Sequence, residues 1–274
     1  MKELFIKTYK AKKKFGQNFL QDKFYLDKII ESVSKMFNSF ANNSNMQLEI
    51  IEIGPGLGDL SARLLDYYSL VAYEIDDELC CYLHNRFPND RFILYNKDVL
   101  QLDFIKSGWL SKNPYLLVSN LPYYIATKII LNLFRDNKCK GMVVMTQKEV
   151  AQKFCANAGE SNFSALGILA QSISDKIELI ADIPSSAFNP PPKVESSIFS
   201  ISKNDCEIEE NFEHFIKDAF KYRKKKLCKN LANIKNINSI LSELEIDKNS
   251  RPHQISTLKY HQIFNKIKDC YGRK

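Results

Sequence analysis

One stretch restricts the fold of this 274-residue chain more than any other: an apolar strand that runs directly into a glycine-rich turn and a helix. The strand is predicted at residues 48–53, the turn reads Gly54-Pro55-Gly56-Leu57-Gly58, and helical spacing continues from residue 59 to about 68. This order is typical of the first unit of a doubly wound α/β sheet. Glycines let the backbone approach a ligand closely, and the helix N-terminus offers free N–H groups to an anionic group.

Strands and helices continue to alternate after this unit. Strands are predicted at residues 70–75, 91–96, 115–118 and 141–145, with helices at 77–87, 126–134 and 148–155. Four successive strands are followed by Gly54, Glu74, Asp98 and Asn120. Because ligands of such sheets bind at the carboxyl ends of the strands, we expect these four residues to converge on one site.

Two carboxylates at this edge indicate a nucleoside-bearing cofactor. Glu74 follows Gly54 by twenty residues, a spacing that suits a carboxylate accepting hydrogen bonds from both hydroxyls of a ribose. Asp98 is placed to accept a hydrogen bond from the cofactor's adenine amino group. The alternative for Asp98 is a helix N-cap or a turn aspartate.

The fourth strand end carries the expected chemistry. Pro122 fixes its own backbone and pushes Leu121 toward an extended conformation, so the Asn120 amide and the carbonyls of Leu121 and Pro122 form a rigid ledge. Acceptors on such a ledge can take up the N–H protons of a nucleobase amine and turn its lone pair toward an electrophile. Tyr123 offers a flat face on which the same base can stack. The alternative is an ordinary proline turn with Tyr123 in the core.

A second aromatic residue is expected at this site. Residues 187–195 read Ala-Phe-Asn-Pro-Pro-Pro-Lys-Val-Glu, between two predicted paired strands at 176–182 and 196–201. Three prolines make this loop stiff, so Phe188 is placed to face Tyr123 and complete a stacking slot. Phe188 as a core residue is the alternative.

The pattern changes near residue 208 from alternating strands and helices to helices alone, predicted near 210–221, 224–233, 238–245 and 256–268. We therefore expect two domains. Residues 1–207 form a Rossmann-like sheet domain that begins with a basic N-terminal arm, residues 1–21, and residues 208–274 form a small all-α domain. A further helix from Asp22 to about residue 37 follows the arm.

Composition points to a globular, cytoplasmic protein. The chain has 45% hydrophobic and 26% charged residues, and we find no apolar run long enough to span a bilayer. Its seven cysteines are scattered without a Cys-x-x-Cys pair, and the four histidines do not cluster with them. This pattern favours reduced thiols over disulfides and predicts no metal site.

Positive charge is concentrated in two blocks. Residues 1–14 carry a net +5 and residues 221–229 a net +6 within a chain of net charge +7, so the remainder is net negative. Such blocks are expected of a protein that binds a polyanion, although solvated faces give the same pattern. The candidate RNA-binding residues are Lys12, Lys13, Lys14, Arg223, Lys224, Lys225 and Lys226.

Several strings together resemble the small-subunit (16S-type) rRNA adenine N6,N6-dimethyltransferase family, KsgA type. They are Lys-Phe-Gly-Gln-Asn-Phe-Leu at 14–20, Glu-Ile-Gly-Pro-Gly-Leu-Gly at 52–58, Tyr-Glu-Ile-Asp at 73–76, Asn-Leu-Pro-Tyr at 120–123, Gln-Lys-Glu-Val at 147–150 and Ala-Phe-Asn-Pro-Pro-Pro-Lys-Val-Glu-Ser at 187–196. They occur in family order over about residues 10–230.

The resemblance implies an S-adenosylmethionine-dependent methyltransferase. Its implied substrate is a pair of adjacent adenosines near the 3′ end of small-subunit rRNA, within a nearly mature particle, and we expect the enzyme to act as a monomer. Family contacts to the cofactor carry over to Asn18, Leu20, Gly54, Glu74, Asp98 and Asn120. Contacts to the base, or catalytic roles, carry over to Asn120, Leu121, Pro122, Tyr123 and Phe188.

The chain departs from the family pattern at two places. Tyr124 stands where the family often has asparagine, and Phe163-Ser164-Ala165-Leu166 replaces a common Tyr-Gly-Arg-Leu, so that arginine is missing. Three other functions fit parts of the pattern: a large-subunit rRNA methyltransferase of the resistance type, a non-catalytic nucleic-acid-binding assembly factor, and a nicotinamide dehydrogenase. The last has no use for Asn-Leu-Pro-Tyr.

Overall fold

The computed structural model describes residues 5, 9–44, 47–103, 108–268 and 271. They divide into two compact units. The first unit is Met1–Ala151 with Glu178–Lys203, and the second is Gln152–Ile177 with Asn204–Lys274.

A seven-stranded sheet forms the centre of the first unit. Its strands, in chain order, are β2 (Glu49–Ile53), β3 (Leu70–Glu74), β4 (Phe92–Asn96), β5 (Tyr115–Asn120), β6 (Cys139–Gln147), β7 (Ser174–Ile183) and β9 (Ser196–Lys203). The order across the sheet is β4-β3-β2-β5-β6-β9-β7, with β2 to β6 parallel and β9 antiparallel to β6. This confirms the predicted fold class. Two short strands, β1 (Phe19–Leu20) and β8 (Phe188–Asn189), pair separately.

The apolar run that precedes Asn120 is buried because helices cover both faces of a parallel sheet. Leu116, Leu117 and Val118 have no exposed surface. The helices that alternate with the strands are α1 (Lys23–Ser44), α2 (Asp59–Leu65), α3 (Asp77–Arg86), α4 (Ala126–Arg135) and α5 (Lys148–Cys155). Helix α1 extends seven residues beyond its expected end, and α2 ends three residues early.

The second unit is helical. It contains α6 (Ala165–Ser172), α7 (Glu210–Ala219), α8 (Leu227–Asn230), α9 (Ile237–Glu243) and α10 (Thr257–Ile267). Aromatic residues of α7 and α10 form its core, where the ring centroids of Phe215 and Phe264 are 5.7 Å apart. The helix expected at 224–233 is reduced to α8, because only Leu227 and Leu231 of that stretch are buried.

The observed units differ from the expected division at residue 208. Residues 152–177 group with the C-terminal helices, because their polar groups bond within that unit. Thr257 Oγ1 donates to Gln171 Oε1 at 2.5 Å, and the Asn204 amide donates to the Ile173 carbonyl at 2.9 Å. No helix among the described residues is long and apolar enough to cross a membrane.

Candidate functional site

The site lies where the strand order reverses, between the carboxyl ends of β2 and β5. At such a switch point the connections leave in opposite directions and open a crevice. Ser119 Oγ donates to the Ile53 carbonyl at 2.5 Å and ties the two strand ends together. A Cβ placed on Gly54 would lie 3.8 Å from Pro122 Cγ, so there is room for little more than one side-chain carbon between the glycine loop and the Asn-Leu-Pro-Tyr ledge.

A cleft opens at this crevice, with an empty volume of about 1020 Å³ including its solvent-filled mouth. The structure brings together in its lining all six residues expected to hold the cofactor: Asn18, Leu20, Gly54, Glu74, Asp98 and Asn120. Leu121, Pro122 and Tyr123 also line it. The predicted convergence of the strand ends is therefore a feature of the structure.

The glycine loop is shaped for close approach. Gly56 has φ +58, and a Cβ there would lie 2.8 Å from ring carbons of Phe19 in the arm. Glu74 is 5% exposed, and its carboxylate accepts hydrogen bonds from the amides of Gly56, Ile75 and Asp76 at 3.2, 2.9 and 3.0 Å. Burial raises the pKa of Glu74, and the three amide bonds oppose that shift. The carboxylate is thus fixed beside the loop with its orientation set by backbone donors.

A second carboxyl, Glu52, lies beneath the loop at the end of β2. It is 2% exposed and accepts a hydrogen bond from Ser61 Oγ at 2.6 Å. Burial raises its pKa to about 8. This buried acid was not predicted as functional, and the glutamate that opens the Glu-Ile-Gly-Pro-Gly string was its only signal.

Asp98 caps a turn, as its alternative interpretation predicted, and it also lines the cleft. Its Oδ1 accepts from the Leu100 amide at 2.9 Å, so it caps the 3₁₀ turn Val99–Gln101. Gln101 Nε2 reaches Oδ2 at 3.3 Å. A capping role and a cofactor contact are compatible, since an ionised carboxylate has about four acceptor positions.

The ledge is rigid for reasons visible in its hydrogen bonds. The Leu121 amide donates to the Met145 carbonyl at 3.0 Å, and the Pro122 carbonyl accepts from the Ile125 amide at 3.1 Å. The Pro122 carbonyl thus already has a partner, which makes the Leu121 carbonyl the better acceptor for a base. Tyr123 is half-buried, and its hydroxyl lies 2.5 Å from Ser196 Oγ, a side chain with no exposed surface. This contact fixes the position of the hydroxyl end of the ring.

Comparisons with known proteins agree with this geometry. A family described as ribosomal RNA adenine dimethylase matches residues 8–269. The chain is 44% identical to ribosomal RNA small subunit methyltransferase A of Campylobacter jejuni (strain RM1221) over 97% of this chain and 98% of that one. It is 42% identical to the protein of the same name from Helicobacter hepaticus, over 96% of this chain and 93% of that one. The chain belongs to the ribosomal RNA adenine dimethylase family.

Solved structures share the fold of this dimethylase. A dimethyladenosine transferase from Plasmodium falciparum has a TM-score of 0.73 at 21% identity, covering 92% of this chain and 98% of that one. The 23S rRNA methyltransferase ErmE has a TM-score of 0.68 at 20% identity, covering 92% and 100%. The resemblance drawn from the sequence is confirmed, and the protein is an rRNA adenine methyltransferase.

Phe188 does not form the expected slot in the dimethylase structure. It is 4% exposed, belongs to the apolar core and is absent from the cleft lining. Its backbone pairs with Leu20 through β1 and β8, which turns the ring inward. Of the two aromatic residues expected to form the slot, only Tyr123 is in the cleft lining that the structure describes.

Three residues of the arm bond to one buried carboxylate that the sequence interpretation missed. Asp76 is 1% exposed and accepts from Tyr9 Oη at 2.8 Å, Lys12 Nζ at 2.8 Å and Gln17 Nε2 at 3.0 Å. Burial raises the pKa of Asp76, but these hydrogen bonds outweigh burial and leave the pKa below its usual value. The only advance signal was the position of Asp76 in the Tyr-Glu-Ile-Asp string.

Tyr124, the departure from the family pattern, lies at the rim of the cleft and is 60% exposed. Its ring carbon Cδ1 lies 3.3 Å from the position that a Cβ on Gly16 would take, and Gly16 has φ +62. The tyrosine ring therefore packs against the glycine turn of the arm.

The predicted RNA-binding residues have different surroundings. Lys12 forms ion pairs with Asp76 and Glu78 at 2.8 and 2.7 Å, so its charge is compensated by acidic residues of the first unit. Lys13 and Lys14 are exposed.

In the second unit, Arg223 Nη2 donates to the Phe163 carbonyl at 3.1 Å, and Lys226 Nζ donates to Asn249 Oδ1 at 2.7 Å. Lys224 and Lys225 are exposed, and Lys225 lies over the ring of Tyr222, 4.5 Å from its centroid. Across the described part of the chain, no cluster of three or more histidine, cysteine or acidic side chains could hold a metal ion.

Proposed function

We propose that this enzyme transfers methyl groups from S-adenosylmethionine to N6 of two adjacent adenosines near the 3′ end of small-subunit rRNA, giving N6,N6-dimethyladenosine. The observation that carries the proposal is that the glycine loop and the Asn120 ledge line one cleft, with their strand ends joined by the hydrogen bond from Ser119 to Ile53. The name shared by the bacterial relatives supports the small subunit as the substrate. We further propose that the enzyme acts as a monomer on a pre-small-subunit particle.

The cleft residues fit S-adenosylmethionine. Glu74 presents an oriented carboxylate suited to a ribose diol, and Asp98 retains acceptor capacity for an adenine amino group. Gly54, Asn18 and Leu20 would enclose the remainder of the molecule. When bound, the cofactor supplies a methyl group on an electrophilic sulfonium.

The ledge activates the amine. Asn120 Oδ1 and the Leu121 carbonyl accept the two N–H protons of the adenine N6, which turns the nitrogen lone pair out of conjugation with the ring. Tyr123 stacks on the extruded base and contributes about 1–3 kcal/mol, offsetting part of the few kcal/mol that unstacking costs. Positioning is the main contribution of the protein, and the extra proton leaves after transfer.

The basic side chains hold the RNA backbone. Lys13 and Lys14 of the arm and residues 223–226 of the second unit carry this role, with Lys12 restricted by its ion pairs. Binding through phosphates is expected to weaken steeply as salt rises.

The test is methyl transfer from labelled S-adenosylmethionine to undermethylated small subunits, with large subunits in parallel, followed by nucleoside analysis. We expect label in N6,N6-dimethyladenosine of the small subunit. Label confined to large subunits would replace the proposal with a large-subunit activity. Asn120→Ala should abolish transfer with cofactor affinity largely intact, whereas Asn85→Ala, on the exposed face of α3, should behave as the wild type.

A further inference from the structure

The arm makes a direct contact with the residue at the centre of the proposed chemistry. Asn120 Nδ2 donates a hydrogen bond to the backbone carbonyl of Asn18 at 2.9 Å. We propose that this carbonyl is a positioning group, which selects the end of the Asn120 amide that faces the base. The inference rests on the proposed function and adds to it a requirement on the arm.

The selection follows from the chemistry of the two groups. A side-chain amide has a donor end and an acceptor end, whereas a backbone carbonyl only accepts. Only the NH₂ end of Asn120 can therefore face Asn18, and Oδ1 is left to accept from the adenine amine. In the reverse orientation, the NH₂ group would face the amine of the base, and two donors would meet.

The carbonyl of Asn18 can act in this way because the arm is fixed on both sides of it. On the N-terminal side, Gln17 Nε2 is bonded to buried Asp76, and Gln17 Oε1 accepts from the Lys12 amide at 2.6 Å. On the C-terminal side, Phe19 packs on Gly56 and β1 pairs with β8. Asn18 Nδ2 closes the turn between them by donating to the Gly16 carbonyl at 3.1 Å.

The substitution Asn120→Asp separates this role from that of a simple acceptor. An ionised carboxylate has two acceptor oxygens and no donor, so it repels the Asn18 carbonyl, whereas the protonated carboxyl donates to Asn18 and keeps an acceptor for N6. We expect the variant to lose about 100-fold or more of its single-turnover rate at neutral pH, by analogy with the loss of one preorganised donor. The ratio of its rate to that of the wild type should rise as the pH falls.

An acceptor-only role makes the opposite prediction. A carboxylate would accept from N6 at least as well as the amide, so activity would persist at neutral pH and decline with acidification. Activity that persists at neutral pH and declines with acidification would overturn the inference. So would a rate ratio that does not change with pH, or a variant that is inactive at every pH. The matched control is Asn85→Asp, the same chemical change on an exposed helix, which should follow the wild-type profile.

A second readout needs neither cofactor nor RNA. Hydrogen–deuterium exchange of residues 15–21 in Asn120→Asp should be faster than in the wild type at neutral pH, and the two should converge at low pH. Equal exchange at every pH would show that Asn18 is not engaged by residue 120. Failure of the proposed function is recognised separately, because the wild type would then produce no methylated adenine while the exchange result would be unaffected.

The anchoring of the arm is tested by Tyr9→Phe, which removes the hydroxyl that donates to Asp76 and keeps the ring. A positioning role predicts a fall of about ten-fold or more in kcat at saturating cofactor, the effect of one hydrogen bond to a charged acceptor. An arm that only covers the cofactor would raise the Kd of S-adenosylmethionine and leave kcat unchanged, and that result would contradict the inference. Tyr67→Phe, at a tyrosine that is 67% exposed, is the control.

Discussion

Replacing Glu52 with glutamine tests the buried carboxyl under the glycine loop. Glu52 accepts from Ser61, is influenced by Glu74, Asp59 and Arg86, and has a pKa raised to about 8, chiefly by burial. Glutamine has nearly the same shape, keeps an acceptor for Ser61 and carries no charge. The comparison therefore removes the titration of this group and little else.

The magnitude follows from the two protonation states. In the unfolded chain the carboxyl titrates near its ordinary pKa of 4.5, and in the folded chain near 8. Below the lower value both states are protonated, so the contribution of Glu52 to stability is fully present. Between the two values the unfolded chain loses the proton while the fold retains it. Stability relative to the glutamine variant then falls by up to about 1.4 kcal/mol per pH unit and is constant above the upper value.

The assay is urea unfolding, followed by circular dichroism, of both proteins between about pH 5 and 8. We expect Glu52→Gln to gain free energy of unfolding relative to the wild type steadily as the pH rises. A constant difference across this range would refute the reasoning, because it would mean that folding does not change the affinity of Glu52 for protons. The control Glu31→Gln, at a side chain 58% exposed, should run parallel to the wild type.

Three other predictions follow from the cleft and the basic surface. Gly56→Ala forces a side chain into φ +58 and against Phe19, so the free energy of unfolding measured with urea should fall by about 1–2 kcal/mol, and an unchanged value would contradict the packing. Tyr123→Phe loses only the contact with Ser196 and should slow single-turnover methylation by about ten-fold or less. Tyr123→Ala also loses the stacking face and should slow methylation by about 10–100-fold more. Equal effects of the two substitutions would exclude stacking. Neutralising the lysines at 224–226 should make the slope of log K for RNA binding against log salt concentration less negative, by about 0.7–0.9 for each phosphate contact that is lost. An unaltered slope would show that these lysines form a solvated face.

Much of the sheet could be predicted because its strands are buried on both faces. The run before Asn120 is apolar and continuous, and glycine or polar residues mark the ends of β2, β3 and β5, so the strand positions were predicted correctly. The compact units differ from the predicted division for residues 152–177. Helix α6 is apolar like a sheet-covering helix, and it is assigned to the second unit by long-range contacts such as those of Gln171, Ser172 and Ile173.

The site was predicted where local motifs determine it and missed where distant side chains meet. Gly54, Glu74 and Asn120 each follow a strand, so the topology alone brings them together. The anchoring of Tyr9, Lys12 and Gln17 on Asp76 joins segments about sixty residues apart in the chain, which no local pattern encodes.

Phe188 was placed in the slot because stiff prolines follow it. Its pairing with Leu20 instead directs the ring to the core. The missed bond between Tyr9 and Asp76 and the misplaced ring of Phe188 both depend on contacts between segments more than fifty residues apart in the chain.

The central claim is that the methyl donor and the extruded adenine meet between the ends of β2 and β5. A crystal structure with S-adenosylhomocysteine tests it most directly. The account predicts ribose hydroxyls within hydrogen-bonding distance of Glu74 and a thioether sulfur that faces Asn120. A ligand bound outside this cleft, or a sulfur directed away from Asn120, would contradict it.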